Sequence, residues 1–186
     1  MPHATQAARQ IRKTDELPGR LLKSVVDRSL DHLSRDLKIE CFPTIGTSGS
    51  VDLLALRDLT VIIGVGGGIG LLVALSFPKR LADLLFDRLT GGINIPADEK
   101  ELYRRDAAAE TANVILGHCT ADLETCARPI SISPPVVLGE EKQIQRAKNA
   151  VLHKTAIVTD FGNLDISVIG PKELFDAGLN YVKEAS

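Results

Sequence analysis

The chain has 186 residues, 44% hydrophobic and 25% charged, with a net charge of −2, a balance that suits one well-packed globular domain rather than a disordered tail. So small a charge gives no basic face for nucleic-acid phosphates, and with no Trp, two Tyr and five Phe stacking platforms and aromatic cages are excluded as well. Cys41, Cys119 and Cys126 are an odd count at spacings that suit reduced thiols in a cytoplasmic protein rather than a disulfide framework.

Residues 1–17 contain no apolar run, so they read as a polar tail and not as a secretory signal, and the domain is expected over residues 18–186. Residues 20–36 are expected to form a helix, because Leu21, Leu22, Val25, Val26, Leu30 and Leu33 make one apolar stripe. A short strand near Ile39 follows. Residues 59–78 carry no charge, and a hydropathy window would read them as a membrane helix. Gly66, Gly67 and Gly68 stand together at the centre of that run, however, and each glycine costs a helix about 1 kcal/mol relative to alanine. The arms on either side, LTVIIGV and IGLLVALSF, are of strand length and rich in Val, Ile and Leu. A buried β-hairpin turning at the three glycines is the better reading. A nucleotide loop is rejected: the third glycine of a G-x-G-x-x-G pattern would fall on Ile69 or Leu71, and no Gly-Lys-Ser/Thr follows.

A helix over residues 79–89 is expected to stop at Gly91-Gly92. A longer one over about residues 98–124 is announced by Pro96 and Asp98, with Leu102, Ala109, Val114, Leu116 and Leu123 as its partial apolar face. His118, Cys119 and Cys126 lie on or near this helix, but neighbouring residues point about 100° apart, so they make a poor metal site and read as helix packing. A strand near residues 130–133, the loop residues Pro134, Pro135 and Gly139, a second hairpin turning at Asp160-Phe161-Gly162-Asn163, and a final helix to about Lys183 complete the chain.

The hexapeptide that begins at Pro78 (PKRLAD) recurs as PKELFD at Pro171, an offset of 93 residues. The same offset lays the uncharged hairpin on a segment that carries His153, Lys154, Asp160 and Asp165, which argues against a bilayer crossing. The fold class expected is therefore α+β, an internally duplicated pair of α-β-β-β-α units over about residues 18–92 and 98–186, with antiparallel hairpins and packed helices around one core.

One feature belongs to the second half alone. Glu110 and Asn113 are three residues apart on the long helix, so they project from one side about 60° apart. The small residues Ala107, Ala108, Ala109, Thr111 and Ala112 are expected to flank them and leave both polar groups clear. By themselves two such residues are ordinary helix surface.

With the surrounding residues they become a pattern. TVIIGVGGGIG…LSFPKRLADLLFDRLTGG, ETANVILG from Glu110 to Gly117, and SISPPVVLGE from Ser131 together resemble the CheC/CheX/FliY family of chemotaxis phosphatases, most of all its CheX members. The resemblance covers roughly residues 19–171 and includes that family's E-x-x-N signature. It departs from the family pattern at Ala109, Thr111 and Ala112. It implies a CheC-like fold and a phosphatase that hydrolyses the aspartyl-phosphate of a CheY-like response regulator. Asn113 would orient the attacking water, and Glu110 would pair with the regulator's active-site lysine. The Mg²⁺ would come with the regulator, and the chain would need no cofactor or metal of its own. Phosphoryl transfer rests mainly on positioning and electrostatics, so two residues are enough to contribute. The resemblance also implies a cytoplasmic homodimer with one site per chain, and the hairpin edges offer a route to association. A large side chain at Gly117, one turn past Asn113, would obstruct the docking face, but close packing of the helix on the sheet is the better reading of this glycine. The alternatives are a regulator-binding or flagellar-switch module without catalysis, and a structural oligomerisation domain.

Overall fold

The computed structural model describes residues 18–43, 49–50, 53–67, 69–123, 130–139, 142–145, 150–171 and 182–184. Helix α1 is described over residues 18–31 and runs into a π turn, His32–Asp36. Strands β1 (Cys41–Pro43), β2 (Gly49–Ser50), β3 (Leu53–Leu56), β4 (Leu59–Val65) and β5 (Leu71–Phe77) follow, then helices α2 (Lys79–Thr90) and α3 (Lys100–Leu123). Strands β6 (Val136–Leu138), β7 (Lys142–Gln145), β8 (Val151–Thr159), β9 (Leu164–Gly170) and β10 (Val182–Glu184) complete the described chain.

The expected hairpins both form. β4 pairs antiparallel with β5 from Leu59↔Phe77 to Val65↔Leu71, and β8 pairs with β9 from Val151↔Gly170 to Ile157↔Leu164. The first turn spans residues 66–70, of which Gly68 lies outside the described residues. The second uses Gly162 at φ +106°, a conformation that a side chain would strain. The two hairpins join through β5 and β9 at the centre of a larger sheet, whose order is β1-β8-β9-β5-β4-β6, with β2 also pairing with β8. The offset of 93 residues lays β5 on β9 residue for residue.

Burial on both faces explains why β4 is apolar throughout rather than alternating. On one face Val61, Ile63, Val73, Leu75, Phe77, Ile166 and Val168 join the core with the buried sides of the three helices. On the other, Ile62, Ala74, Leu152 and Ile169 pack with Leu54 and Leu56 of β3. β3 belongs to a separate antiparallel sheet of order β10-β7-β3, and its alternating burial is that of a strand with one covered face. No helix among the described residues is long and apolar enough to cross a membrane.

The first three helices keep to their expected places, and α2 ends on Gly91 in the left-handed conformation at φ +59°. Several expectations are corrected. The α-β-β-β-α order is not reproduced element for element: the described residues of the first half carry five strands, and the β3–β7–β10 sheet has no counterpart in the expected order. Near residues 130–133 there is only an isolated bridge, Val65↔Ile132, and the strand begins later, at Val136. Pro134 and Pro135 stand between the two. The final helix does not reach Lys183, since Val182–Glu184 is a strand paired with β7, and residues 172–181 lie outside the description. The hairpin edges are not free, because β4, β5, β8 and β9 are all interior; β1 and β6 form the edges of the large sheet.

Candidate functional site

The site is built on α3. Pro96 accepts from the Glu99 amide, and Glu99 accepts from the Tyr103 amide, so the chain is already turning as the helix starts. Small residues then let α3 lie close to the sheet. Ala108, Thr111, Ala112, Ile115, Leu116 and Cys119 are all buried, together with Ala107. The burial expected of Leu102 is corrected: it is 60% exposed, and Ala109, Val114 and Leu123 are only half-buried. The alanines expected to flank the polar pair are in the main its opposite face. Where a helix is pressed onto a sheet, the closest positions admit only small side chains.

Side-chain contacts hold α3 from three directions. Arg104 Nε lies 2.6 Å from Asp83 of α2, and Arg105 Nη2 donates to the Val137 carbonyl of β6 at 3.0 Å. Near the C-terminal end, Asp122 accepts from Ser24 Oγ and Arg28 Nε of α1, each at 2.8 Å, and also pairs with Arg28 Nη2. The Arg28 guanidinium and Ser24 hydroxyl hold the Asp122 carboxyl down at about 2, and Asp122 in turn raises the Arg28 pKa. Burial pushes the Cys119 thiol up to about 11, so this cysteine stays protonated at neutral pH.

Glu110 and Asn113 are exposed on the side of α3 turned away from the core. Among the described residues neither side chain has a hydrogen bond or ion pair, so both are available to an incoming molecule. The structure adds Asp106, exposed one turn before Glu110 and likewise unpartnered. At about 100° per residue, Asp106, Asn113 and Gly117 fall within roughly 40° of arc, with Glu110 about 20° beyond Gly117. The spacing of 106, 110, 113 and 117 was the available signal for this stripe, and a search for a pair alone passes over it. The packing role expected of Gly117 is overturned: among the described residues, a Cβ placed there meets nothing within 4 Å.

A groove of about 430 Å³ opens between α1 and α3, lined by Arg20, Ser24, Asp27, Arg28 and Asp122 among others. Asp122 is nine residues past Asn113 and so about 180° around the helix, which sets the groove apart from the polar face. Its Lys23–Asp27 and Arg28–Asp122 pairs are internally compensated. Cys41 and Cys119 are free thiols, and Cys126 lies outside the described residues. Among the described residues no group of three or more His, Cys, Asp or Glu is arranged to hold a metal ion.

The comparisons fit this arrangement. A family model described as chemotaxis phosphatase CheX matches residues 59–161, a span from β4 into the turn after β8 that includes all of α3. Among solved structures, the chemotaxis protein CheX from Desulfovibrio desulfuricans superposes with a TM-score of 0.67 at 18% identity, covering 80% of this chain and 97% of that one. A putative chemotaxis protein from Desulfovibrio vulgaris Hildenborough gives 0.66 at 20% identity, covering 81% and 96%. A chain of the CheX–CheY–BeF₃–Mg²⁺ complex from Borrelia burgdorferi gives 0.57 at 16% identity, covering 80% and 95%. At these identities the likeness is one of fold. No curated protein matches the chain. With the family model covering more than half of its residues, the chain belongs to the CheX family of chemotaxis phosphatases.

Proposed function

We propose that this protein hydrolyses the aspartyl-phosphate of a CheY-like response regulator, with Asn113 and Glu110 as the residues that meet the regulator. The observation that carries the reading is the outward face of α3, where both side chains stand exposed and, among the described residues, unpartnered in a chain of the CheX family. Asn113 enters the regulator's phosphorylation site, and its carboxamide orients a water in line with phosphorus: the C=O accepts from the water while the NH₂ donates. Attack by that water breaks the acyl phosphate and yields aspartate and inorganic phosphate. Glu110 pairs with a lysine of the regulator and sets the docking angle. The Mg²⁺ belongs to the regulator's site, and the Borrelia complex, whose name joins CheX to CheY, BeF₃ and Mg²⁺, supports that division of labour. The protein works in the cytoplasm as a homodimer of single-domain chains, with one such site in each.

Decay of a ³²P-labelled CheY-like receiver, with and without the protein, tests the reading. Faster decay with wild type and none of that gain with Asn113→Ala is the expected result. Receiver decay that wild type leaves unchanged sinks the phosphatase reading, and binding without hydrolysis would identify a docking module instead.

A further inference from the structure

Gly117 is the single glycine of α3 and lies well inside the helix, six residues before its last. A glycine there weakens the helix relative to alanine. The described residues give no reason for it. Gly117 is not among the glycines with positive φ, which are Gly67, Gly70, Gly91, Gly92 and Gly162. It makes no close approach either: a Cβ at Gly66 would lie 2.6 Å from Ser131 Oγ and one at Gly162 2.8 Å from Pro78, whereas one at Gly117 meets nothing within 4 Å. Nor does it break the helix, which runs from Lys100 to Leu123 without interruption.

What Gly117 does have is its position, one turn past Asn113 in the middle of the outward face. An asparagine carries its carboxamide on a single methylene. It reaches a phosphoryl group held within a partner's site only if the helix backbone comes close to that partner's surface. We propose that Gly117 is the place where the receiver lies against the backbone of α3, and that its missing side chain sets how deeply Asn113 enters. Gly117 is then a positioning residue, acting through Asn113. This inference rests on the docking face assigned under Proposed function.

The test uses the full chain with Gly117→Ala and Gly117→Leu, and Gly19→Ala as control, since a Cβ at Gly19 also meets nothing within 4 Å. Thermal unfolding, affinity for a CheY-like receiver loaded with beryllofluoride and Mg²⁺, and hydrolysis of the phosphorylated receiver are measured together. Gly117→Ala is expected to raise Tm by roughly 2–4 °C while weakening receiver binding. Gly117→Leu is expected to stay folded and bind about tenfold or more weakly, with kcat reduced by up to about a hundredfold because Asn113 is held about 1 Å short. Gly19→Ala should bind as wild type. A Gly117→Leu variant that binds and hydrolyses like wild type overturns the inference, and so does a Gly117→Ala variant with a lower Tm, which would give the glycine an internal role. Wild type that binds no receiver removes the docking reading itself; wild type that binds while Gly117→Leu is indifferent removes this inference alone.

Discussion

If, as proposed, Asn113 and Glu110 divide the work of one face, their substitutions should fail differently. Asn113→Ala removes a group needed only as the water attacks, so kcat should fall about a hundredfold or more while receiver affinity changes little. Glu110→Ala removes a docking contact and should act mainly on KM; steady-state dephosphorylation rates separate the two. Asp122 is a residue of a different kind, binding α3 to α1. Its folded pKa, about 2, lies below the unfolded value of about 3.9. The stability it contributes is therefore complete above about pH 4 and is lost as the pH falls through about 2. Arg28→Ala should lower the denaturant midpoint at neutral pH, and the gap from wild type should close on acidification toward pH 2. Added salt should narrow it too, since the Arg28 and Asp122 side chains are each about a third exposed. An unchanged gap across that range would show that the ion pair does not join the helices.

At the scale of elements, α3 shows where sequence reading succeeded and where it misjudged a face. Its start after Pro96 and its length were legible from capping and breaker residues. Its buried side was not, because the large apolar residues Leu102 and Val114 mark a different face from Ala108, Thr111 and Ala112, which the structure buries. Periodicity identifies faces, but the distance between helix and sheet decides which residue sizes belong on the inner one. Ala112 is 0% exposed, so Ala112→Leu should cost about 1–3 kcal/mol or more through overpacking. It should also slow receiver dephosphorylation by displacing the face that carries Asn113. Chemical denaturation and the decay assay on one preparation check both effects.

For the molecule as a whole, the uncharged stretch that resembles a membrane span is the middle of the large sheet, covered on both faces. The charged residues of its counterpart hairpin help join separate parts of the fold. Asp165 of β9, with its side chain 7% exposed, accepts from Arg57 Nε at 2.9 Å and lies 3.0 Å from Lys154 Nζ of β8. Arg57 belongs to the link between β3 and β4, so this cluster ties the smaller sheet's connection to the second hairpin. Asp165→Ala leaves two partly exposed cations without their common acceptor and should cost about 1–3 kcal/mol, read as a lower urea midpoint. A loss under about 1 kcal/mol would mean that water replaces the carboxylate.

The sequence by itself determined the elements that depend on near neighbours: the amphipathic α1, the stop at Gly91, both hairpins and the helix bearing Glu110 and Asn113. It also determined the α+β class, because apolar strand-length arms around glycine turns cannot hide their surface except under helices or another sheet. Tertiary structure decided what depends on partners distant in the chain. It placed both hairpins inside the sheet, left β1 and β6 as its edges, and built a second sheet from β3, β7 and β10. It also showed that a Cβ at Gly117 meets nothing among the described residues: spacing puts the glycine on the side of Asn113, but only the packing around α3 decides whether anything fills the space beside it.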